Sequence, residues 1–187
     1  AEALGFQSVW TGDSVLSRPR HEPLSTLAAV GTATDAVNLG TAVYLPTLRN
    51  PVNVAHQTAS VDQLSGGRLM LGVGVSSAQD DIRAEHANLG VELARRGARL
   101  NELLDVMTRL WTGDSVDFDG DFYHLEDARL GFGPVRRPPI YVATGGYNPD
   151  RGLPGTVRER LVNHADGYLP NVMSPETYAD SLAYIYD

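Results

Sequence analysis

Short apolar runs alternate along the chain with longer segments whose apolar residues recur at helical spacing. The runs rich in strand-forming residues are 6–10, 37–43, 68–75, 140–143 and 167–169. The segments with helical spacing or helix start signals are 24–34, 51–64, 95–111, 156–164 and 174–187. A regular order of strand and helix is typical of a parallel sheet with helical crossovers, so we predict an α/β fold.

Two segments have distinctive patterns. In 95–111 the apolar residues fall on one helical stripe, at Leu100, Leu103, Leu104, Met107, Leu110 and Trp111. The segment Val116–Leu125 is predicted to be a β-hairpin that turns at Asp119-Gly120, because this dipeptide supplies positive φ in a tight turn. The hairpin lies outside the alternation of strand and helix.

Five parallel strands fit either an open doubly wound sheet or part of a (β/α)8 barrel. A whole barrel takes about 250 residues, whereas the sequence has 187 and begins at Ala1 in what reads as the end of a helix. The barrel interpretation therefore implies a single, partial domain over 1–187. It also implies that a longer gene product or a partner chain covers the two edge strands.

Charge and composition exclude several classes of partner and of reaction chemistry. The 15 basic and 23 acidic residues give a net charge of -8, which disfavours nucleic acid and anionic membrane surfaces as partners. All the basic residues are arginine, which excludes lysine Schiff bases, and the absence of cysteine excludes thiolate chemistry and disulfides. No run approaches the roughly 18 apolar residues of a membrane span. We expect a cytoplasmic protein.

The candidate site residues stand where the predicted strands end, because ligands of parallel α/β folds bind at the carboxyl ends of the strands. They are small or hydrogen-bonding: Asp13 and Ser14 after the first strand, Ala42 and Val43 at the second, Gly74, Val75, Ser76 and Ser77 at the third, Thr144, Gly145 and Gly146 at the fourth, and Pro170 and Asn171 at the fifth. The Thr144-Gly145-Gly146 turn, which precedes a helix, is the best candidate for a phosphate-binding site, and a plain turn is the alternative interpretation. For Asp13 the alternative to a ligand contact is a capping or turn role.

The remaining motifs give less information about function. Gly72-Val73-Gly74 lacks the third glycine of a dinucleotide fingerprint, so we interpret these glycines as points of close packing. The five histidines show no metal-binding spacing, and we predict no metal. His21, in the loop after the first strand, is the histidine best placed to contact a substrate; His56 is expected to be a packed or solvent-edge residue.

The residues that suggest a family follow one another in order. They are Leu4–Trp10, Leu39–Val43, Asp62–Gly74, Arg96–Trp111 and Ala165–Pro170, of which Asp62–Gly74 is the most specific. Together they resemble the luciferase-like monooxygenase superfamily over essentially the whole chain. The resemblance implies a (β/α)8 barrel, here strands 2 to 6, with the hairpin as the family's insertion. It also implies an oxidoreductase that uses reduced FMN or the 8-hydroxy-5-deazaflavin coenzyme on a small organic substrate.

The resemblance also implies roles for particular residues. Asp13 matches an aspartate near the cofactor ring, and Ala42-Val43 matches a segment behind the ring that sometimes contains a cis non-prolyl bond. Gly74, Val75 and Ser76 would line the cofactor; Thr144, Gly145 and Gly146 would seat its phosphate; and Ser14 and His21 would face the substrate. Catalytic residues stay unassigned.

Two departures from the family affect the chemistry. Many members have histidine where this chain has Ser14, and sugar-phosphate dehydrogenases of the deazaflavin branch have glutamate near Ser77. A mechanism that needs this acid and base pair is therefore in doubt.

The sequence leaves several interpretations open. The all-arginine composition leans towards the deazaflavin. A non-catalytic flavin-binding protein of the same fold and an unrelated barrel lyase for a phosphorylated metabolite are the alternatives. The family further suggests a homodimer and, with FMN, a flavin reductase as partner.

Overall fold

A computed structural model describes residues 1–144 and 146–186. The five strands of the main sheet are β1 (Ser8–Thr11), β2 (Asn38–Thr41), β3 (Leu69–Val73), β6 (Ile140–Thr144) and β7 (Gly167–Pro170), and a hairpin is formed by β4 (Val116–Asp119) and β5 (His124–Ala128). The helices are α1 (Pro23–Thr32), α2 (Pro51–Ser65), α3 (Asp80–Asn88), α4 (Arg96–Leu110), α5 (Gly155–His164) and α6 (Pro175–Tyr186). Each predicted element is present within a few residues of its expected bounds.

The strands of the main sheet run in the order β1-β2-β3-β6-β7, and every neighbouring pair is parallel. Apart from the inserted hairpin, each strand therefore pairs with the next one along the chain. A doubly wound sheet would reverse this order at a switch point. The order does not reverse among the described strands, so the sheet winds in one direction, as the wall of a (β/α)8 barrel does.

The two faces of the sheet differ in burial. Alternate residues of the central strands, such as Leu69, Leu71 and Val142, are fully buried in the core that the helices share. On the other face Trp10 is 40% exposed, and its ring meets the edge of the Tyr141 ring at 6.4 Å. This second face corresponds to the inside of the barrel wall.

The predicted stripe on α4 forms much of the core. All six of its apolar residues are buried. At the end of the stripe the Trp111 indole donates hydrogen bonds to the Ala55 carbonyl and the Thr58 hydroxyl, so that α4 is fixed to α2. The apolar spacing matches the buried face of α4, which is why spacing alone could identify this helix. The indole N–H at the end of the stripe is buried with its hydrogen-bond partners.

The hairpin forms a separate two-stranded sheet, as predicted, but its turn differs. Asp119 pairs with His124 and the Gly120 N–H donates to the Tyr123 carbonyl, so the turn is centred on Asp121-Phe122, and Gly120 does not have a positive φ. The Glu102 carboxylate on α4 accepts the backbone N–H groups of Asp121 and Phe122. The predicted turn position, Asp119-Gly120, was wrong because this contact with α4 holds the turn two residues further along the chain.

The glycines of β3 allow close packing, which confirms that interpretation of Gly72 and Gly74. A Cβ atom at Gly72 would lie 1.9 Å from the Thr41 carbonyl oxygen, and one at Gly74 would lie 3.0 Å from Val43 Cγ2. The Thr41 hydroxyl donates to the Gly72 carbonyl at 2.7 Å. The ends of β2 and β3 therefore lie close together, because Gly72 and Gly74 have no side chain.

Candidate functional site

A cavity of about 680 Å³ opens at the carboxyl ends of β2, β3, β6 and β7. Its lining residues are Ala42, Val43, Gly74, Val75, Ser76, Ser77, Arg96, Ala143, Thr144, Leu169, Pro170 and Asn171. Six of the nine predicted cofactor-binding residues are among them: Ala42, Val43, Gly74, Val75, Ser76 and Thr144. The parallel register explains their convergence, since strands that begin level with one another also end at one edge.

The wall nearest β2 has little side-chain bulk. The Ala42–Val43 peptide bond is cis. The Tyr44 N–H donates to the Gly72 carbonyl, and the Gly74 N–H donates to the Tyr44 carbonyl. These bonds extend the pairing of β2 and β3 beyond the strands, so the backbone itself forms the cavity wall and a flat ring can approach it.

Asp13 lies behind this wall and does not line the cavity. Its carboxylate accepts two hydrogen bonds from the Arg49 guanidinium, at 2.6 and 3.1 Å, and one from the Leu45 N–H at 3.0 Å. The Asp13 side chain is 1% exposed. Burial lowers the pKa of the Arg49 guanidinium, but the hydrogen bond to Asp13 raises it, and the net shift is upward. In the structure the Asp13 carboxylate forms a buried ion pair behind the cavity wall, in which Arg49 and Leu45 occupy its oxygens.

Ser14 is also buried, and its hydroxyl is hydrogen-bonded to neighbouring groups. Its hydroxyl accepts the Arg18 N–H at 2.8 Å and lies 2.9 Å from the Ser17 hydroxyl. The Glu85 carboxylate on α3 accepts the backbone N–H groups of Val15 and Leu16, both at 2.6 Å. Ser14 therefore belongs to a fixed loop, and the structure brings it to no open surface of the cavity.

Glu85 holds this loop as an anion. Burial raises the pKa of the Glu85 carboxyl, but the backbone N–H groups of Leu16, Ser17 and Val15 lower it more, so that its pKa lies below the ordinary value. An ionised carboxylate that accepts several backbone N–H groups is a strong local anchor. Glu85 thus connects α3 to the loop that follows β1.

The remaining predicted residues lie apart from the cavity. His21 is exposed and lines a second, shallower hollow of about 380 Å³ with Trp10 and Arg20, which meets the cavity only at Ala42. Gly146 is exposed, with φ 97° and no neighbouring atom where a Cβ would stand. Gly145 lies outside the described residues. Of the described residues of the proposed phosphate turn, Thr144 lines the cavity and Gly146 does not.

Sequence reasoning missed Arg96, the one charged residue among the described residues that line the cavity. Its Nε donates to the Ser76 carbonyl at 3.0 Å and its Nη1 to the Leu93 carbonyl at 3.1 Å. Arg96 begins α4, but only the folded chain brings that helix start to the end of β3. A guanidinium at this position favours an anionic group in the ligand.

His86 was also missed, because α3 reads as a polar surface segment. Its imidazole is 2% exposed, and its Nε2 lies 3.0 Å from the Ser76 hydroxyl. Burial lowers the pKa of His86 below its ordinary value, although the Val91 backbone and Glu85 raise it. The ring is therefore neutral near pH 7 and lies directly behind a cavity-lining hydroxyl.

Metal-binding clusters and membrane spans are both absent from residues 1–144 and 146–186. These residues contain no group of three or more histidine, aspartate or glutamate side chains that could hold a metal ion. In the same part of the chain no helix has the length and apolar character needed to cross a membrane.

Comparison with known proteins agrees with this geometry. The family model described as luciferase-like monooxygenase matches residues 1–186. An F420-dependent glucose-6-phosphate dehydrogenase of Gordonia bronchialis is 43% identical over 152 residues, with 78% of this chain and 45% of the relative covered. The corresponding protein of Amycolatopsis mediterranei is 40% identical over 153 residues and is covered to the same extent.

A solved structure gives the same fold. An F420-dependent secondary alcohol dehydrogenase, in complex with an F420-acetone adduct, superposes with a TM-score of 0.79 and 25% identity. The match covers 97% of this chain and 56% of that one. The chain thus spans about half the length of the curated relatives and of the solved structure that it matches.

Proposed function

The chain belongs to the luciferase-like monooxygenase family, and from this premise we propose that its cavity binds a deazaflavin or flavin cofactor for the oxidation or reduction of a small organic substrate. The observation that carries the proposal is the convergence of six predicted residues from three strand ends on one cavity. We favour the deazaflavin over FMN, because relatives 40 and 43% identical carry F420 in their names.

The residues present fit such a cofactor. Gly74 lines the cavity without a side chain, and a Cβ atom added there would crowd Val43, 3.0 Å from its Cγ2, beside the wall that a ring would approach. Small residues and backbone line one wall, which suits a flat ring, and Arg96 supplies a positive charge for an anionic group. Ala42, Val43 and Gly74 would hold the ring; Thr144 and its turn would hold the phosphate.

When bound, the deazaflavin supplies hydride transfer, which no amino-acid side chain can perform. The chain supplies the position of the ring and substrate, and a partly apolar wall at Ala143 and Leu169 that limits water. The Asp13 and Arg49 pair keeps the Ala42-Val43 segment in place, because the Asp13 N–H donates to the Val43 carbonyl while its side chain binds Leu45. Asp13 would thus affect cofactor binding by positioning the cavity wall.

Turnover tests the proposal. Oxidised deazaflavin is mixed with the protein and glucose 6-phosphate or a series of small alcohols, and cofactor reduction is followed by absorbance. We expect reduction with at least one alcohol-bearing substrate. The departures at Ser14 and Ser77 make a sugar phosphate one candidate among several. Binding without turnover of any substrate would favour the non-catalytic flavin-binding alternative.

A prediction concerns the phosphate turn. Gly146→Val should weaken cofactor binding by about 1 to 3 kcal/mol, since a β-branched residue disfavours the φ of 97° that Gly146 adopts. The control is Gly113→Val, which places the same strain at a φ of 83° in a turn remote from the cavity. Equal affinities of the two folded variants, measured by fluorescence titration, would place the phosphate elsewhere.

The assembly and location of the protein belong to the same proposal. We propose a homodimer in the cytoplasm, with a flavin reductase as partner only if FMN is the cofactor. Size-exclusion chromatography with light scattering tests the first of these directly.

A further inference from the structure

We propose that Ser76 and His86 form a proton relay that opens onto the cavity, in which the Ser76 hydroxyl contacts the substrate and the His86 imidazole accepts the proton behind it. The inference rests on the proposed function, because a proton must move when a substrate alcohol is oxidised. It assigns an acid and base where the family's usual positions, at Ser14 and near Ser77, have no titratable side chain.

The two residues of the relay differ in their exposure to the cavity. Ser76 is half-buried and lines the cavity, whereas His86 is 2% exposed and lies within hydrogen-bond distance of the Ser76 hydroxyl, at 3.0 Å. The Ser76 carbonyl accepts a hydrogen bond from Arg96, which fixes the backbone that carries the hydroxyl. Among the described residues Ser76 thus connects the cavity to the buried His86 ring.

The imidazole is held in place from its own helix. Glu85, the preceding residue of α3, is anchored by the backbone N–H groups of Val15 and Leu16. His86 Nδ1 is buried and forms no well-aligned hydrogen bond among the described residues, while the Val91 backbone favours the protonated ring and raises its pKa. With the Ser76 hydroxyl as donor, Nε2 is the acceptor and Nδ1 carries the ring proton, which leaves Nε2 free to become protonated.

The charged groups around His86 come from two helices. Glu85 lies beside it on α3, and Arg96 and Arg99 face it from α4. Burial lowers the pKa of His86, Glu85 raises it, and the two arginines lower it. A neutral imidazole near pH 7 can accept a proton during the reaction and return it to solvent afterwards.

Neither Arg96 nor Ser14 can take this role. Arg96 is the one titratable residue that lines the cavity among the described residues, and a guanidinium does not lose its proton in a protein. The Ser14 hydroxyl is buried and bonded to the Arg18 N–H. The Ser76 and His86 pair is therefore the route by which a proton can leave the cavity through described side chains.

Atoms and electrons balance in the proposed step. As the substrate alcohol becomes a carbonyl, its O–H bond breaks and the proton passes to Ser76 Oγ. The Ser76 hydroxyl proton passes at the same time to His86 Nε2. The C–H bond of the substrate carbon breaks, and its electron pair leaves as hydride to the bound deazaflavin, which is the oxidant. The reverse sequence reduces a carbonyl.

The test uses His86→Gln and Ser76→Ala, with His56→Gln as the matched control, because His56 is exposed and contacts only the Phe132 ring among the described aromatic residues. In a single turnover we expect each relay variant to reduce the rate roughly 10²-fold or more, the usual scale of acid–base catalysis. The cofactor affinity of His86→Gln, whose side chain does not line the cavity, should stay within about threefold, because a tenfold change would need about 1.4 kcal/mol of lost binding energy. The acidic limb of the wild-type pH profile should disappear in His86→Gln.

A second readout does not depend on turnover. Histidine ring signals are followed by NMR from acidic to alkaline pH in wild type and Ser76→Ala. We expect the pKa of His86 to lie below the ordinary histidine value and its signals to move in Ser76→Ala, while the ring signals of His56 keep their positions. An unchanged pH profile in a folded His86→Gln protein, or a His86 ring with the ordinary histidine pKa whose signals are unchanged in Ser76→Ala, would overturn the relay. Failure of cofactor binding in wild type would instead refute the proposed function.

Discussion

Arg49→Met is expected to lower the free energy of unfolding by about 3 to 5 kcal/mol, because it leaves the buried Asp13 carboxylate without its charge partner. The Asp13 side chain is 1% exposed, and the methionine would leave it one described hydrogen-bond donor, the Leu45 N–H. Denaturant unfolding of wild type and variant measures the loss. We also expect weaker cofactor binding, since Asp13 positions the Val43 end of the cavity wall.

The matched control is Arg109→Met. Arg109 pairs with Asp105 one helical turn away, and both side chains are well exposed, at 52 and 39%. Removal of such a surface pair should cost no more than about 0.5 kcal/mol. A loss for Arg49→Met as small as that of the control would mean that the ion pair with Asp13 does not organise the site.

Gly74→Leu should reduce cofactor affinity by about 100-fold or more, equivalent to about 2.7 kcal/mol. The side chain would leave β3 towards Val43 and Ala143 and would fill the space that the ring is proposed to occupy. Gly74→Ala should have a smaller effect, because its Cβ needs Val43 Cγ2, at 3.0 Å, to move only slightly. Fluorescence titration of the cofactor measures all three proteins.

Gly131→Leu is the control for this series. Gly131 lies in an exposed loop, and a Cβ atom added there would have no neighbouring atom within 4 Å. The affinity of this variant should equal that of wild type. A Gly74→Leu protein that unfolds like wild type and binds the cofactor with unchanged affinity would contradict the proposed position of the ring.

Local sequence signals were sufficient for most of the fold. Helix α4 has an apolar stripe that can be buried in only one orientation, and the compact runs that became β3 and β6 have no competing helical spacing. The position of the hairpin turn could not be predicted in the same way, because it depends on Glu102, which is 19 residues from Asp121 along the chain. The direction of winding likewise became visible only from the strand order.

The site residues also fall into those that local sequence signals predict and those that only tertiary packing brings together. Residues at strand ends, such as Val43, Gly74 and Thr144, could be placed from the sequence because parallel strands bring their ends together. Partners from other segments of the chain could not, since Arg49 lies 36 residues from Asp13 and no spacing rule connects them. His86 was missed for this reason too: its helix is polar in sequence, and its burial arises from packing.

A structure of the protein in complex with oxidised deazaflavin would show directly where the cofactor binds. We expect the ring against Ala42, Val43 and Gly74, at the carboxyl ends of β2 and β3, with the phosphate towards Thr144 and the substrate side facing Ser76. A ring bound at the amino ends of the strands, or no measurable affinity for deazaflavin or FMN in the same preparation, would contradict the proposed cofactor site.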